Sequence, residues 1–153
     1  MTKISIIHHA KGAPGLRLLG LGPGLVPSKG MQKLQRLMDE HAFWARNRSV
    51  NDLQKMLSNS SEIISVWKNQ NIVGFGRATS DGIYRAVLWD VVVSGELQRQ
   101  GLGKKVIELL MATPKIKNVE KVYLMTTNSE EFYMQFGFKP VSNQKLLAIK
   151  NYY

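Results

Sequence analysis

Cysteine is absent from the 153 residues. That removes disulfides, thiolate metal ligands and a cysteine nucleophile together. Acidic residues are scarce, 11 against 21 lysines and arginines, for a formal net charge of +10. Such a balance suits nucleic acid, a small polyanion or simple solubility. The basic residues are spread along the chain without a recognition motif, so nucleic acid is the less favoured partner. Long apolar runs are also missing. The longest, residues 87–93, is broken by Asp90, far short of the ~20 residues a membrane span needs. Residues 1–9 hold one basic residue and too short an apolar run for a secretory signal. A cytoplasmic protein with no membrane partner is expected. Histidine is limited to His8, His9 and His41. Two neighbours on a strand face opposite ways and cannot chelate one metal together. Structural roles are expected for all three, and no metal.

What remains is an ordinary globular composition, 44% apolar and 21% charged, fitting one domain over residues 1–153. Residues 4–8 read as a strand. Residues 11–30, with Gly20-Leu21-Gly22-Pro23-Gly24 at their centre, read as a long loop. Ser28 can cap a helix whose Met31, Leu34, Leu37 and Met38 share a face, and a second helix begins near Ser49. Residues 63–67 and 72–78 flank a polar turn, as in a hairpin. Residues 84–93 form a longer strand with a nearly continuous apolar end, as in a strand covered on both faces. A helix over 101–112 stops at Pro114. A strand over 119–125, a helix over 129–136 and a last strand over 145–150 complete the chain. That last strand, or the final Tyr152-Tyr153, could pair with a second chain, but nothing in the sequence decides the oligomeric state.

Chemistry concentrates where the apolar strand ends: Val91-Val92-Val93-Ser94-Gly95-Glu96-Leu97-Gln98-Arg99-Gln100-Gly101-Leu102-Gly103-Lys104. Here a buried strand runs through a loop directly into a helix. Gly101 and Gly103 allow an anion close to the backbone. The first helical turn offers unpaired N–H groups with partial positive charge, and Arg99 and Lys104 add full charges. A P-loop would need Ser or Thr where Lys105 stands, and a dinucleotide fingerprint a glycine where Val106 stands.

The spacing Gln98-x-x-Gly101-x-Gly103 resembles the pyrophosphate-binding motif of the GNAT acetyltransferases. A second stretch is similar to that family's later motif: Asn128, the pair Phe132-Tyr133, then Gly137-Phe138 after the helix. The resemblance covers residues 63–150, the expected cofactor-binding core. Trp89-Asp90-Val91-Val92-Val93 further resembles the plant-plastid and cyanobacterial branch described as serotonin N-acetyltransferases. It implies an α/β fold of the GNAT type: a mixed, mostly antiparallel sheet, splayed in the middle and flanked by about four helices. It also implies acetyl-CoA as co-substrate, with the backbone of Val91, Val92 and Val93 and the side chain of Asn128 on the pantetheine arm. The diphosphate would then sit on Gln98, Arg99, Gln100, Gly101, Leu102, Gly103 and Lys104. Tyr133 stands at the family's general-acid position. Asn128 could instead cap the following helix.

The implied reaction moves acetyl to a primary amine, which must be neutral to attack. An amine of pKa near 10.4 is only ~0.04% neutral at pH 7. Asp90, an acid in an apolar strand, is the expected base, its pKa raised by burial; Glu96 and Glu131 are weaker candidates. A backbone N–H near Val92 or Val93 would meet the oxyanion. With no cysteine to carry an acyl group, direct attack is expected. A helix end or a cation near Tyr133 would bring its pKa down toward that of the departing thiol. The expected acceptor is an arylalkylamine such as serotonin or tryptamine, with Trp89, Tyr84, Phe43 and Trp44 available for its ring. A protein lysine or N-terminal amine is the alternative. More distant are a non-catalytic CoA-binding module and a nucleic-acid binder.

Overall fold

A computed structural model describes residues 3–151. Tyr152 and Tyr153 lie outside them. Five strands form one sheet in sequence order: β1 (Ile4–His8), β2 (Glu62–Lys68), β3 (Asn71–Ser80), β4 (Arg85–Val93) and β5 (Lys121–Tyr123). β1 to β4 pair antiparallel, and β5 lies parallel to β4. The six α-helices are α1 (Pro14–Leu19), α2 (Gly30–His41), α3 (Val50–Ser58), α4 (Leu102–Ala112), α5 (Pro114–Lys117) and α6 (Glu130–Met134).

Alternation along the strands divides the core between the two sheet faces. Ile63, Trp67 and Phe75 join Leu16, Leu34, Leu53 and Leu57 beneath α1, α2 and α3. Ile64, Val66, Ala78 and Leu88 join Val106, Ile107 and Leu110 beneath α4, with α6 packed beside them. Gly76 sets how closely α4 sits. A Cβ there would lie 2.7 Å from Val106 Cγ1 and 3.0 Å from Leu110 Cδ1, so the helix rests on bare backbone.

Two expectations at the front need correction. The glycine-rich segment is not simply a loop. Pro14 starts α1, as its fixed φ suits a first helical position. Gly20, at φ 62°, ends it with its N–H on Gly15 and Leu16 carbonyls. Gly30 has no room for a side chain, since a Cβ would run into Leu16 Cδ1. These glycines serve close helix contacts. Ser28 does not cap α2 either; its hydroxyl donates back to the Val26 carbonyl, and Lys29 takes the cap position at φ 51°. Ser49 does cap α3, accepting from the Asp52 N–H.

The back end also differs. Pro114 closes α4 but opens α5. β5 and α6 are shorter than their patterns suggested, covering 121–123 and 130–134. The strand expected over 145–150 does not form. Leu146, Leu147 and Ile149 are 75%, 87% and 88% exposed, and no neighbouring strand shares their backbone hydrogen bonds. An apolar run without a ladder partner does not make a strand.

Candidate active site

Parity breaks inside β4. Ala86 and Leu88 pack toward α4, and so do Val91 and Val93 beyond, while Val92 joins the opposite core. An extra residue must therefore lie between Leu88 and Val91. The register confirms it: Phe75 pairs with Val92 but Arg77 with Trp89, so Asp90 and Val91 share the place opposite Gly76. Asp90 adopts φ 52°, a left-handed conformation that aspartate tolerates better than most residues. This is a β-bulge, which bends a strand and re-aims its side chains. It turns Trp89 and Asp90 together onto the face that carries Arg77.

Asp90 is consequently held on three sides. Arg77 Nε donates to its Oδ2 at 2.8 Å, Arg48 Nη1 stands 3.2 Å from the same oxygen, and Trp44 Nε1 donates to Oδ1 at 2.9 Å. Its side chain is 4% exposed. Burial alone pushes its pKa up, but the two guanidiniums and the hydrogen bonds from Arg77 and Trp44 outweigh it and hold the carboxyl below the usual range. The expectation of a raised pKa is thus overturned. An acid made stronger by its partners is a poorer proton acceptor. Arg77 also lies over the Trp89 ring, 5.7 Å from its centroid. Phe43 and Trp44 meet edge to face with centroids 5.1 Å apart and remain about half exposed. The Trp44–Asp90 bond therefore leaves an aromatic wall open to solvent beside the bulge.

On the other edge of β4 the sheet opens. β4 and β5 pair only at Arg85–Lys121, Ala86–Val122 and Val87–Tyr123. Beyond Val87, β4 has no partner on that side, so the backbone of Val91, Val92 and Val93 borders the gap. The gap leads to α4. Gly101 takes φ 80° immediately before it, and no side chain caps the helix. The first intrahelical bond is from Lys105 N to Gly101 O. The N–H groups of Leu102, Gly103 and Lys104 are the free donors of a first turn. Gly103 lies against the Phe132 ring, whose Cζ would be 3.3 Å from a Cβ. Gln98, Arg99, Gln100 and Lys104 are exposed around this cradle, and the Gln98 amide donates to the Val93 carbonyl. Free amides, close backbone approach and surrounding cations fit a diphosphate.

Asn128 is exposed ahead of α6, and Ser129 holds the N-cap position that Asn128 was an alternative for. Tyr133 stands edge-on to Phe132 and Phe138, at 5.0 and 6.2 Å between centroids. It lines a cleft of about 610 Å³ between β5, α6 and residues 138–146, with Tyr123, Met125 and Glu130. Burial pushes the Tyr133 pKa up, opposite to the lowering expected from a helix end or a cation. Glu96 and Glu131 are both exposed; Glu96 lines a separate polar cleft with His41 and Lys33. Tyr84 is exposed at the start of β4, apart from Phe43 and Trp44. Among the described residues no three His, Asp or Glu side chains could hold one metal ion. Among the described residues no helix is long and apolar enough to cross a membrane.

Sequence reasoning missed Arg77, Arg48 and the anchoring role of Trp44. The extra residue after Leu88 shows only once the facing of Leu88, Val91 and Val92 is known, and nothing local in the sequence points to the three partners.

Comparison with known proteins agrees with this geometry. The pattern of the acetyltransferase (GNAT) family matches residues 31–138. An uncharacterized N-acetyltransferase, ycf52, of Pyropia yezoensis is 34% identical over 113 residues, 71% of this chain and 64% of that protein. The chloroplastic GCN5-related N-acetyltransferase 1 of Arabidopsis thaliana is 39% identical over 72 residues, 46% of this chain and 36% of that protein. The chain thus spans less than two thirds of the length of these relatives. A GNAT-family acetyltransferase from Streptococcus pneumoniae superposes with a TM-score of 0.70 at 20% identity, covering 99% of this chain and 98% of the other. At that identity the likeness concerns the fold alone.

Proposed function

Because the chain belongs to the GNAT acetyltransferase family, we propose that it transfers acetyl from acetyl-CoA to a primary amine by direct attack, with an arylalkylamine as acceptor. One observation carries the reading. The β4–β5 ladder ends after three pairs, and the edge it leaves leads to an uncapped helix start flanked by glycine and cations. That is the shape a thioester arm ending in a diphosphate requires.

In this reading the edge of Val91, Val92 and Val93 pairs with the amides of the pantetheine arm, assisted by Asn128. The first-turn amides of α4, Arg99, Gln100 and Lys104 hold the diphosphate, and Gln98 braces the end of β4. A β4 amide next to the bulge meets the oxyanion as the amine attacks the carbonyl carbon. The C–S bond then breaks, the thiolate of CoA leaves, and the proton shed by the newly acylated nitrogen passes through solvent to that thiolate. Tyr133, kept protonated by burial, donates a hydrogen bond to the departing sulfur. Full proton transfer from a phenol above pKa 10 to a thiolate near 8.5 is uphill by more than about 2 kcal/mol.

Asp90 positions rather than deprotonates: it fixes Trp44, and with Phe43 and Trp89 the wall for an aromatic acceptor. The amine then arrives as its free base, so kcat/KM rises about tenfold per pH unit below the acceptor's own pKa. A thiol-release assay with acetyl-CoA against tryptamine, serotonin, a polyamine and a lysine peptide tests this. Turnover with arylalkylamines above the others is expected. Preference for the peptide would move the acceptor class to protein amines, and no thiol release with any amine would remove the enzyme reading.

A further inference from the structure

His41 ends α2 and turns its ring toward the loop that follows β4. Its Nδ1 stands 3.2 Å from the Gly95 backbone nitrogen. An amide N–H can only donate, so Nδ1 must be the unprotonated nitrogen and the ring's hydrogen sits on Nε2. That nitrogen faces the Ser94 hydroxyl at 3.5 Å and the Glu40 carboxylate at 3.7 Å. Ala42, next in the chain, is fully buried, and the exposed Phe43 and Trp44 follow. One short segment is therefore tied twice to β4 and its outgoing loop. Trp44 holds the bulge through Asp90, and His41 holds Gly95.

Given the acetyl-CoA site proposed above, we infer that His41 is a positioning residue. It pins the loop that presents the diphosphate cradle to the helix that presents the acceptor wall. Gly95 opens a short turn, residues 95–97, that runs straight into Gln98 and the glycines of the cradle. Other anchors of this turn include the bonds from Ser94 N to Val73 O, from Leu97 N to Ser94 O and from Gln98 Nε2 to Val93 O, and the burial of Leu97. Without the ring acceptor the Gly95 N–H loses its only side-chain partner among the described residues, and the turn gains freedom that ligand binding must then remove. His41 itself touches neither reactant.

The test is acetyl-CoA binding by calorimetry on the wild-type chain and on His41→Leu, His41→Asn and His41→Gln, with thermal unfolding as the control. Asparagine places an oxygen on Cγ where Nδ1 was; glutamine places its oxygen one bond farther out. One hydrogen bond corresponds to about a three- to tenfold change in Kd. His41→Leu and His41→Gln are expected to weaken acetyl-CoA binding by that factor, and His41→Asn to restore it to within about twofold. In turnover the KM for acetyl-CoA should rise while kcat holds. Recovery that follows side-chain bulk, with glutamine and leucine better than asparagine, would overturn the role. So would equal affinity in all four proteins. A wild-type chain that gives no heat with acetyl-CoA would overturn the acetyl-CoA site as well, which separates the two failures.

Discussion

Replacing Asp90 with asparagine, glycine and alanine separates an anchoring carboxylate from a catalytic base. In the folded chain its two oxygens meet Arg77 at 2.8 Å, Arg48 at 3.2 Å and Trp44 at 2.9 Å. Alanine leaves the Arg77 charge uncompensated with its side chain only 14% exposed. Breaking a buried pair from one side costs about 3–5 kcal/mol, and the low end applies because Arg48 is 32% exposed and can rehydrate. Alanine also gives up aspartate's tolerance of φ 52°, for about 1 kcal/mol more. The sum is about 4 kcal/mol, which for a chain of this size lowers Tm by about 12 °C. Glycine removes the strain and should recover about 1 kcal/mol of that. Asparagine keeps an acceptor and the left-handed tolerance and loses only the charge, for about 2 kcal/mol. Since the folded carboxyl lies below its ordinary range, its contribution is complete above about pH 4 and fades as pH falls below it. The gap between wild type and Asp90→Asn should narrow in acid. Calorimetric unfolding at pH 7 and pH 3.5 gives these differences, and turnover is measured well below each Tm. An anchor predicts that Asp90→Asn keeps kcat within about tenfold while KM for the acceptor rises. An unchanged Tm with kcat down by about a thousandfold would refute the anchor and reinstate the base.

Tyr133→Phe should lower kcat by about tenfold with the KM for acetyl-CoA unchanged, the loss of one hydrogen bond to the departing sulfur; steady-state kinetics at saturating amine decides it. Gly76→Ala sets a methyl 2.7 Å from Val106 Cγ1. Pushing α4 outward should cost about 1–3 kcal/mol and weaken acetyl-CoA binding with it, as chemical denaturation and calorimetry would register. Burial and the neighbouring His8 lower the His9 pKa to about 4, while its Nε2 meets the Ser65 hydroxyl at 2.7 Å. The unfolded chain then binds the extra proton between about pH 6.5 and 4, so stability falls on acidification through that window, by about 2.5 kcal/mol at pH 4.5. Denaturation at pH 7 and 4.5 should show that loss in wild type and not in His9→Gln.

Much of residues 62–112 was legible because local and global signals coincide there. The hairpin of β2 and β3 has two apolar runs around a polar turn, and α4 carries its inward face at helical spacing up to a proline. Where the reading failed, the deciding partner lay far away in the chain. Pro14 and Gly20 bound a helix only because Leu16 packs into the space left by Gly30. Residues 145–150 hold a short apolar run between lysines, as a strand can, but no neighbour supplies the ladder. The direction of the Asp90 pKa shift turns on Arg77, Arg48 and Trp44, which stand 13, 42 and 46 positions away. Burial of an acid can be read from an apolar strand; the cations that reverse its effect cannot.

The bulge is what joins these observations. One extra residue opposite Gly76 reverses the parity of β4. Before it, Ala86 and Leu88 face α4. After it, Val91 and Val93 do, and Val93 lies against the bare backbone of Gly103. Were Asp90 to take a regular place in the ladder instead of bulging, strict alternation would swing Val91 to the Arg77 face and Val92 to the α4 face, putting apolar side chains on the wrong side of both cores. The same insertion bends β4, and the three-residue β5 does not reach the bent part. Pairing therefore ends at Val87, and the edge that a thioester arm needs is left free. A single left-handed aspartate thus accounts both for the opening between the strands and for the anchored aromatic wall on the opposite face. Shortening β4 by deleting Asp90 should abolish both at once: binding of acetyl-CoA and of the amine would be lost together, whereas loss of one with retention of the other would show that the bulge does not set the splay.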